Sequence, residues 1–262
     1  MLQQTQVPRV LLYYKKWLKQ FPSWRALAQA SNGEVIKAWA GLGYNRRALV
    51  LRDIAKQIID RGVPQSVDEW LMLKGIGPYT AGALSVFTKI ERVMPIDTNI
   101  RRVLDRVLLG VPFPDPELDA KLRRRSTELL KGKDFDFVPQ ALFDLATSIC
   151  KKIPDCAVCP LLNECKAAPK FLTGKVKTPK AMIKKSHETI HRNKKYPDRI
   201  YRGRILKLVR EAPHGKSIAQ IGSAVDPTFD PKLDPPWLEN MISRLVKDQM
   251  LARQGSKLFL KN

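Results

Sequence analysis

Two glycines around a single aliphatic residue, in Leu73-Lys74-Gly75-Ile76-Gly77-Pro78-Tyr79-Thr80, lie between two runs of helical apolar period. Gly75 and Gly77 allow the backbone conformations that other residues resist, and Pro78 suits the first turn of a helix. The segment therefore reads as helix, tight turn, helix. The N–H groups that open the second helix point outward, where the helix dipole favours an anion. Gly75, Ile76 and Gly77 are thus candidates to grip a phosphate through backbone alone, with Lys74 as a charged companion. About twenty residues on, Pro95-Ile96-Asp97-Thr98-Asn99-Ile100-Arg101-Arg102 places one carboxylate just before an arginine-rich helix. Asp97 suits the N-cap of that helix, and together the two motifs suggest a chain that holds a nucleic-acid backbone and brings an acid to it.

The partner expected from charge is a polyanion. The chain of 262 residues carries a formal net charge of +22 and has a pI near 10.0, which points to nucleic acid before an anionic membrane. No apolar run approaches the ~20 residues of a membrane span, and no leader pattern is visible. The expectation is a cytoplasmic monomer that binds nucleic acid and no membrane. The fold class expected is all-α, with helices at 7–21, 33–39, 46–61, 79–88, 99–109, 116–131 and 137–150 and little strand signal. Ser66-Val-Asp-Glu69 has the pattern of a capping box that starts the first hairpin helix. Between Lys166 and Arg204, 13 Lys or Arg stand against Glu188 and Asp198, which reads as a basic linker at 169–200. Beyond it, residues 201–262 read as three short helices and a hairpin turning near Gly255, an arrangement that resembles a winged helix.

All four cysteines, Cys150, Cys156, Cys159 and Cys165, fall within sixteen residues. Such clustering signals a metal site. Zinc is the default reading of four thiols, although only Cys156 and Cys159 form a two-residue knuckle.

Taken together, these motifs resemble the helix-hairpin-helix glycosylase superfamily of base-excision repair, over residues 1–168. Met1-Leu-Gln3-Gln4-Thr5-Gln6-Val7 and Ala40-Gly-Leu-Gly43-Tyr44, followed by Arg46 and Arg47, are most similar to its MutY-type, A/G-specific adenine glycosylases. The resemblance implies a two-lobed helical fold with a [4Fe–4S] cluster on the four cysteines, zinc remaining the alternative. The first cysteine gap is five residues here, against six in the family pattern. It also implies double-stranded DNA with mismatched or oxidised bases as the partner. Gln3 and Gln4 would fill the space left by a flipped nucleotide, and Tyr44 would wedge beside the opposing base. Asp97 would stabilise the sugar cation with Asn99 orienting polar groups beside it. Tyr79 stands where the bifunctional branch carries a nucleophilic lysine, so the expected activity is monofunctional hydrolysis of the bond to adenine opposite 8-oxoguanine or guanine. A thymine or uracil mismatch glycosylase is the alternative enzyme. In the family a glutamate two residues before Met-Leu-Gln-Gln protonates the leaving base. The chain as read opens at Met1, so that acid is expected upstream of a start placed too late, and a DNA-binding protein without catalysis is the alternative if it is lacking. The C-terminal segment is too short and too helical for the Nudix-like domain that reads 8-oxoguanine in many relatives.

Overall fold

The computed structural model describes residues 1–3, 5–174, 176, 190–191 and 194–262. The chain forms two compact units, Met1–Gly62 with Ser186–Asn262, and Val63–Lys185. One apolar core joins elements from the two ends of the chain.

The first unit begins with α1 (Val7–Gln20), α2 (Trp24–Gln29), α3 (Asn32–Ala38) and α4 (Arg46–Arg61). The α2 turn was not expected. Its signal is Ser23, whose hydroxyl accepts the Ala26 N–H and so caps the helix. Trp17 packs edge-on against Trp39 at 5.3 Å and against Phe21 at 4.7 Å. The same core continues through α11 (Asp198–Arg210), α12 (Ile218–Val225) and α13 (Pro235–Lys247), with Tyr201, Ile205, Ile221, Met241 and Ile242 buried. Strands β1 (Lys216–Ser217), β2 (Leu251–Gln254) and β3 (Lys257–Leu260) form an antiparallel sheet in the order β1-β3-β2. The succession α11, β1, α12, α13, β2, β3 is that of a winged helix, with Gly255 at φ 57° in the β2–β3 turn.

Lys194, counted in the basic linker, is buried. Its ammonium donates to Asp226 at 2.7 Å and to Asp234, and it lies 4.5 Å from the centre of the Trp237 ring. The two carboxylates bracket the proline-rich loop between α12 and α13. One buried cation thereby holds a connection too long to be set by a tight turn.

The second unit contains the hairpin helices α5 (Val67–Met72) and α6 (Pro78–Phe87), then α7 (Thr98–Leu104), α8 (Asp119–Thr127), α9 (Val138–Ser148) and α10 (Ala168–Leu172). Val86, Ile100, Val103, Leu104, Leu122 and Ala146 lie in its core. The helix expected to run to 109 changes at Asp105 into a π-helical turn, Asp105–Leu109, closed by Gly110 at φ 71°. That turn presents the carbonyls of Arg106 and Val107 to the N–H groups of Ala167 (3.0 Å) and Lys166 (3.3 Å), anchoring the far end of the cysteine loop.

Candidate active site and nucleic-acid interface

The hairpin is built as its sequence predicts. Ser66 caps α5 by accepting the Glu69 N–H, while Glu69 accepts the Gln65 N–H at 2.7 Å instead of closing a reciprocal box. Gly75 adopts φ 106°, a conformation that a side chain resists, and Gly77 is the N-cap of α6 with no side-chain cap. Lys74, Gly75 and Gly77 are exposed, whereas Ile76 is buried and anchors the turn. The outcome is a helix N-terminus open to an anion, with Lys74 beside it.

Asp97 caps α7. One carboxylate oxygen accepts the N–H groups of Asn99 (2.9 Å) and Ile100 (2.7 Å), and the other accepts the Asn99 side-chain amide at 3.0 Å. The expected cap is therefore real, and the carboxylate remains partly exposed. Tyr79 lies 38% exposed in the first turn of α6. Burial raises its phenol above the usual tyrosine range, and the charge of Asp97 adds to that rise, so the hairpin helix and the α7 cap share one electrostatic neighbourhood.

Two residues that the sequence reading passed over extend this arrangement. Arg102 donates from both terminal nitrogens to the side-chain amide oxygen of Asn99 at 3.3 Å, and also to the backbone carbonyls of Ala146 (2.9 Å) and Cys150 (2.8 Å). Arg106, only 2% exposed, donates to the carbonyls of Pro112, Lys151 and Lys152 and to Cys150 Sγ at 3.3 Å. A continuous hydrogen-bonded path thus runs from Asp97 through Asn99 and Arg102 to Cys150, with Arg106 bonded to that residue's sulfur. The signal for it was available, since Asn99, Arg102 and Arg106 fall at helical positions i, i+3 and i+7.

The four cysteines form no disulfide and line one cavity together with Arg106, Leu162 and Phe171. Burial raises the Cys156 thiol, and the other three thiols raise it further, which registers their convergence. Among the described residues no group of three or more His, Cys, Asp or Glu stands ready to hold a metal ion.

The other expected contacts belong to the first unit. Arg47 donates to the carbonyls of Met1 (3.0 Å), Gln3, Leu42 (3.3 Å) and Gly43 (3.1 Å) and to the Thr5 hydroxyl (3.1 Å), and it lies over the rings of Trp39 and Tyr44. It therefore joins the Gln3 segment to the Gly43–Tyr44 turn. Tyr44 is 49% exposed with φ 46°, an unusual backbone for a bulky side chain. Gln4 lies outside the described residues. Glu34, with no motif match as a leaving-group acid, is spent on capping α3 through reciprocal bonds with Ser31.

Comparison with known proteins places these features in a family. The model of the HhH-GPD superfamily base excision DNA repair proteins matches residues 1–128. An adenine DNA glycosylase of Mycolicibacterium smegmatis is 31% identical over 255 residues, covering 93% of this chain and 76% of that protein. One from Arabidopsis thaliana is 34% identical over 193 residues, covering 64% of this chain, and only 30% of that longer protein is spanned. The structure of a thermostable thymine-DNA glycosylase superposes with a TM-score of 0.59 at 24% identity, over 64% of this chain and 80% of that one, a likeness of fold. By its sequence kinship, its hairpin and its helical fold, the chain belongs to the HhH-GPD superfamily of base excision DNA repair proteins.

Proposed function

We propose that the chain hydrolyses the N-glycosidic bond of adenine mispaired with 8-oxoguanine or guanine in duplex DNA, leaving an abasic site. The observation that carries this reading is the Asp97 carboxylate, partly exposed beside Tyr79 and held by the α7 N-terminus and Asn99. As the bond to the base breaks, positive charge grows at the sugar. A preorganised carboxylate stabilises that charge without reorganising. Gly75, Ile76 and Gly77 hold a backbone phosphate through the N-terminus of α6 and Lys74 adds charge; Gln3 and Gln4 fill the space that a flipped nucleotide leaves, and Tyr44 wedges beside the opposing base. The Tyr79 phenol, raised by burial, stays protonated and offers no amine for a Schiff base. The activity is accordingly monofunctional. The protein acts as a monomer inside the cell.

The four thiols line one cavity beside Arg106 and would hold a [4Fe–4S] cluster, which is carried by four cysteine thiolates, with zinc as the alternative. Arg106 would donate to the sulfur of one ligand. When bound, the cluster supplies a covalent tie across the loop and a redox centre.

The test is single-turnover incubation with duplexes carrying A:8-oxoguanine, A:G, T:G or U:G pairs, with alkali revealing abasic sites. The chain is run beside a form extended upstream along its reading frame. Adenine release without borohydride-trapped protein is expected from at least one form. Release of thymine or uracil instead would replace the substrate assignment. Binding without release of any base by either form would refute catalysis.

A further inference from the structure

The winged-helix portion carries a surface that base excision by the hairpin and Asp97 does not use. Helix α13 has two faces. Trp237, Leu238, Met241, Ile242 and Leu245 are buried against α11 and the sheet. On the opposite side Asn240, Ser243, Arg244 and Lys247 are exposed, at positions i, i+3, i+4 and i+7, in one polar stripe. No acidic residue lies on that stripe. Glu239, at its edge, pairs with Arg253 of β2 at 2.6 Å and accepts from the Ser243 hydroxyl at 3.4 Å, which ties the helix to the hairpin. Asp248, just past the end of α13, lies 3.8 Å from Arg46. Lys257 stands exposed on β3 beside the wing tip.

From this composition and charge we infer that α13 and the β2–β3 wing form a second duplex-DNA-binding surface, with α13 entering the major groove and the wing gripping the adjacent backbone. A helix of 13 residues is about 20 Å long and fits a groove about 12 Å wide. Asn and Arg are the side chains that read adenine and guanine edges in pairs of hydrogen bonds, and Lys247 and Lys257 are placed to meet phosphates. The surface is rigidly carried. The Asn32 amide donates to the Gln249 carbonyl at 2.6 Å just beyond α13, and a Cβ on Gly33 would stand 3.2 Å from Asn262. Both ends of the chain share one core, so the reading helix and the Gln3–Tyr44 segment belong to the same compact unit. The buried Lys194–Asp226–Asp234 group holds the loop that sets the approach of α13.

The experiment measures binding of the full chain to an undamaged duplex as a function of salt, for the parent and for the triple variant Arg244→Gln, Lys247→Gln, Lys257→Gln. All three positions are exposed, so folding is retained, as circular dichroism and melting will verify. The variant is expected to bind roughly tenfold or more weakly. Its logarithmic salt slope is expected to flatten by about 0.9 for each phosphate that the variant no longer neutralises. The near-isosteric Asn240→Asp should weaken binding in the same direction through repulsion. Base release at saturating protein should be unchanged, because none of these residues lies in the unit that carries Asp97. Unchanged affinity and slope in both folded variants would overturn the inference, including the case in which the face binds another protein. If no base were released from any duplex but the slope still flattened, the duplex-binding surface would stand and only the catalytic reading would fall.

Discussion

Asp105 is 1% exposed, and neither of its carboxylate oxygens has a hydrogen-bond partner. It opens the π-helical turn directly after α7. Burial pushes its pKa up to about 6 from the ordinary 3.8. Arg101, itself engaged with Asp119, pulls it down, and Asp119 and Asp115 push it further up. Because the folded value is raised, the native state binds the proton more tightly than the unfolded chain does. The carboxyl therefore costs nothing below the unfolded pKa, and its penalty grows as pH rises from about 4 to about 6. Above that window the full penalty is about 3 kcal/mol, from a shift of roughly two units at 1.36 kcal/mol each. Asp105→Asn keeps the shape and removes the charge. Urea unfolding of parent and variant at about pH 4.5 and about pH 7.5 should show the variant gaining about 2 kcal/mol more at the higher pH. Other titrating groups cancel in the difference. A gain independent of pH, or a loss that deepens as pH rises, would refute the account of Asp105 as a buried, uncompensated carboxylate.

Asp97→Asn keeps the two backbone cap bonds of α7 and removes the charge together with the acceptor of the Asn99 side-chain amide. The melting temperature should hardly move, while the single-turnover rate falls roughly 10²–10³-fold. Gly75→Ala forces a side chain into φ 106°. It should cost roughly 1–2 kcal/mol in urea unfolding and weaken duplex binding. Arg106→Leu strands the carbonyls of Pro112, Lys151 and Lys152 and removes the donor to Cys150 Sγ. Iron and acid-labile sulfide per chain should fall below the parent value, read by elemental analysis and visible absorbance.

Much of the candidate site was legible because its signals are local. A glycine that must turn at φ 106°, a proline opening a helix, a carboxylate one residue before a helix and four thiols in sixteen residues are short-range patterns. The physics that selects those residues acts within one or two turns of chain, so the hairpin, the α7 cap, the cysteine loop and the all-α character followed from them. What tertiary structure alone decided involves residues far apart in sequence. Arg102 and Arg106 are ordinary helical arginines until α9 and the cysteine loop fold against them and bring the carbonyls of residues 146–152 within reach. Lys194 reads as one more charge in a basic stretch, yet folding buries it between Asp226 and Asp234. The core joining α1–α4 to α11–α13 has no signature in composition, because an amphipathic helix shows that it must bury a face and not which face it will meet. The cost of Asp105 depends on the same absent information, since desolvation is set by whatever packs around a side chain and is invisible along the chain.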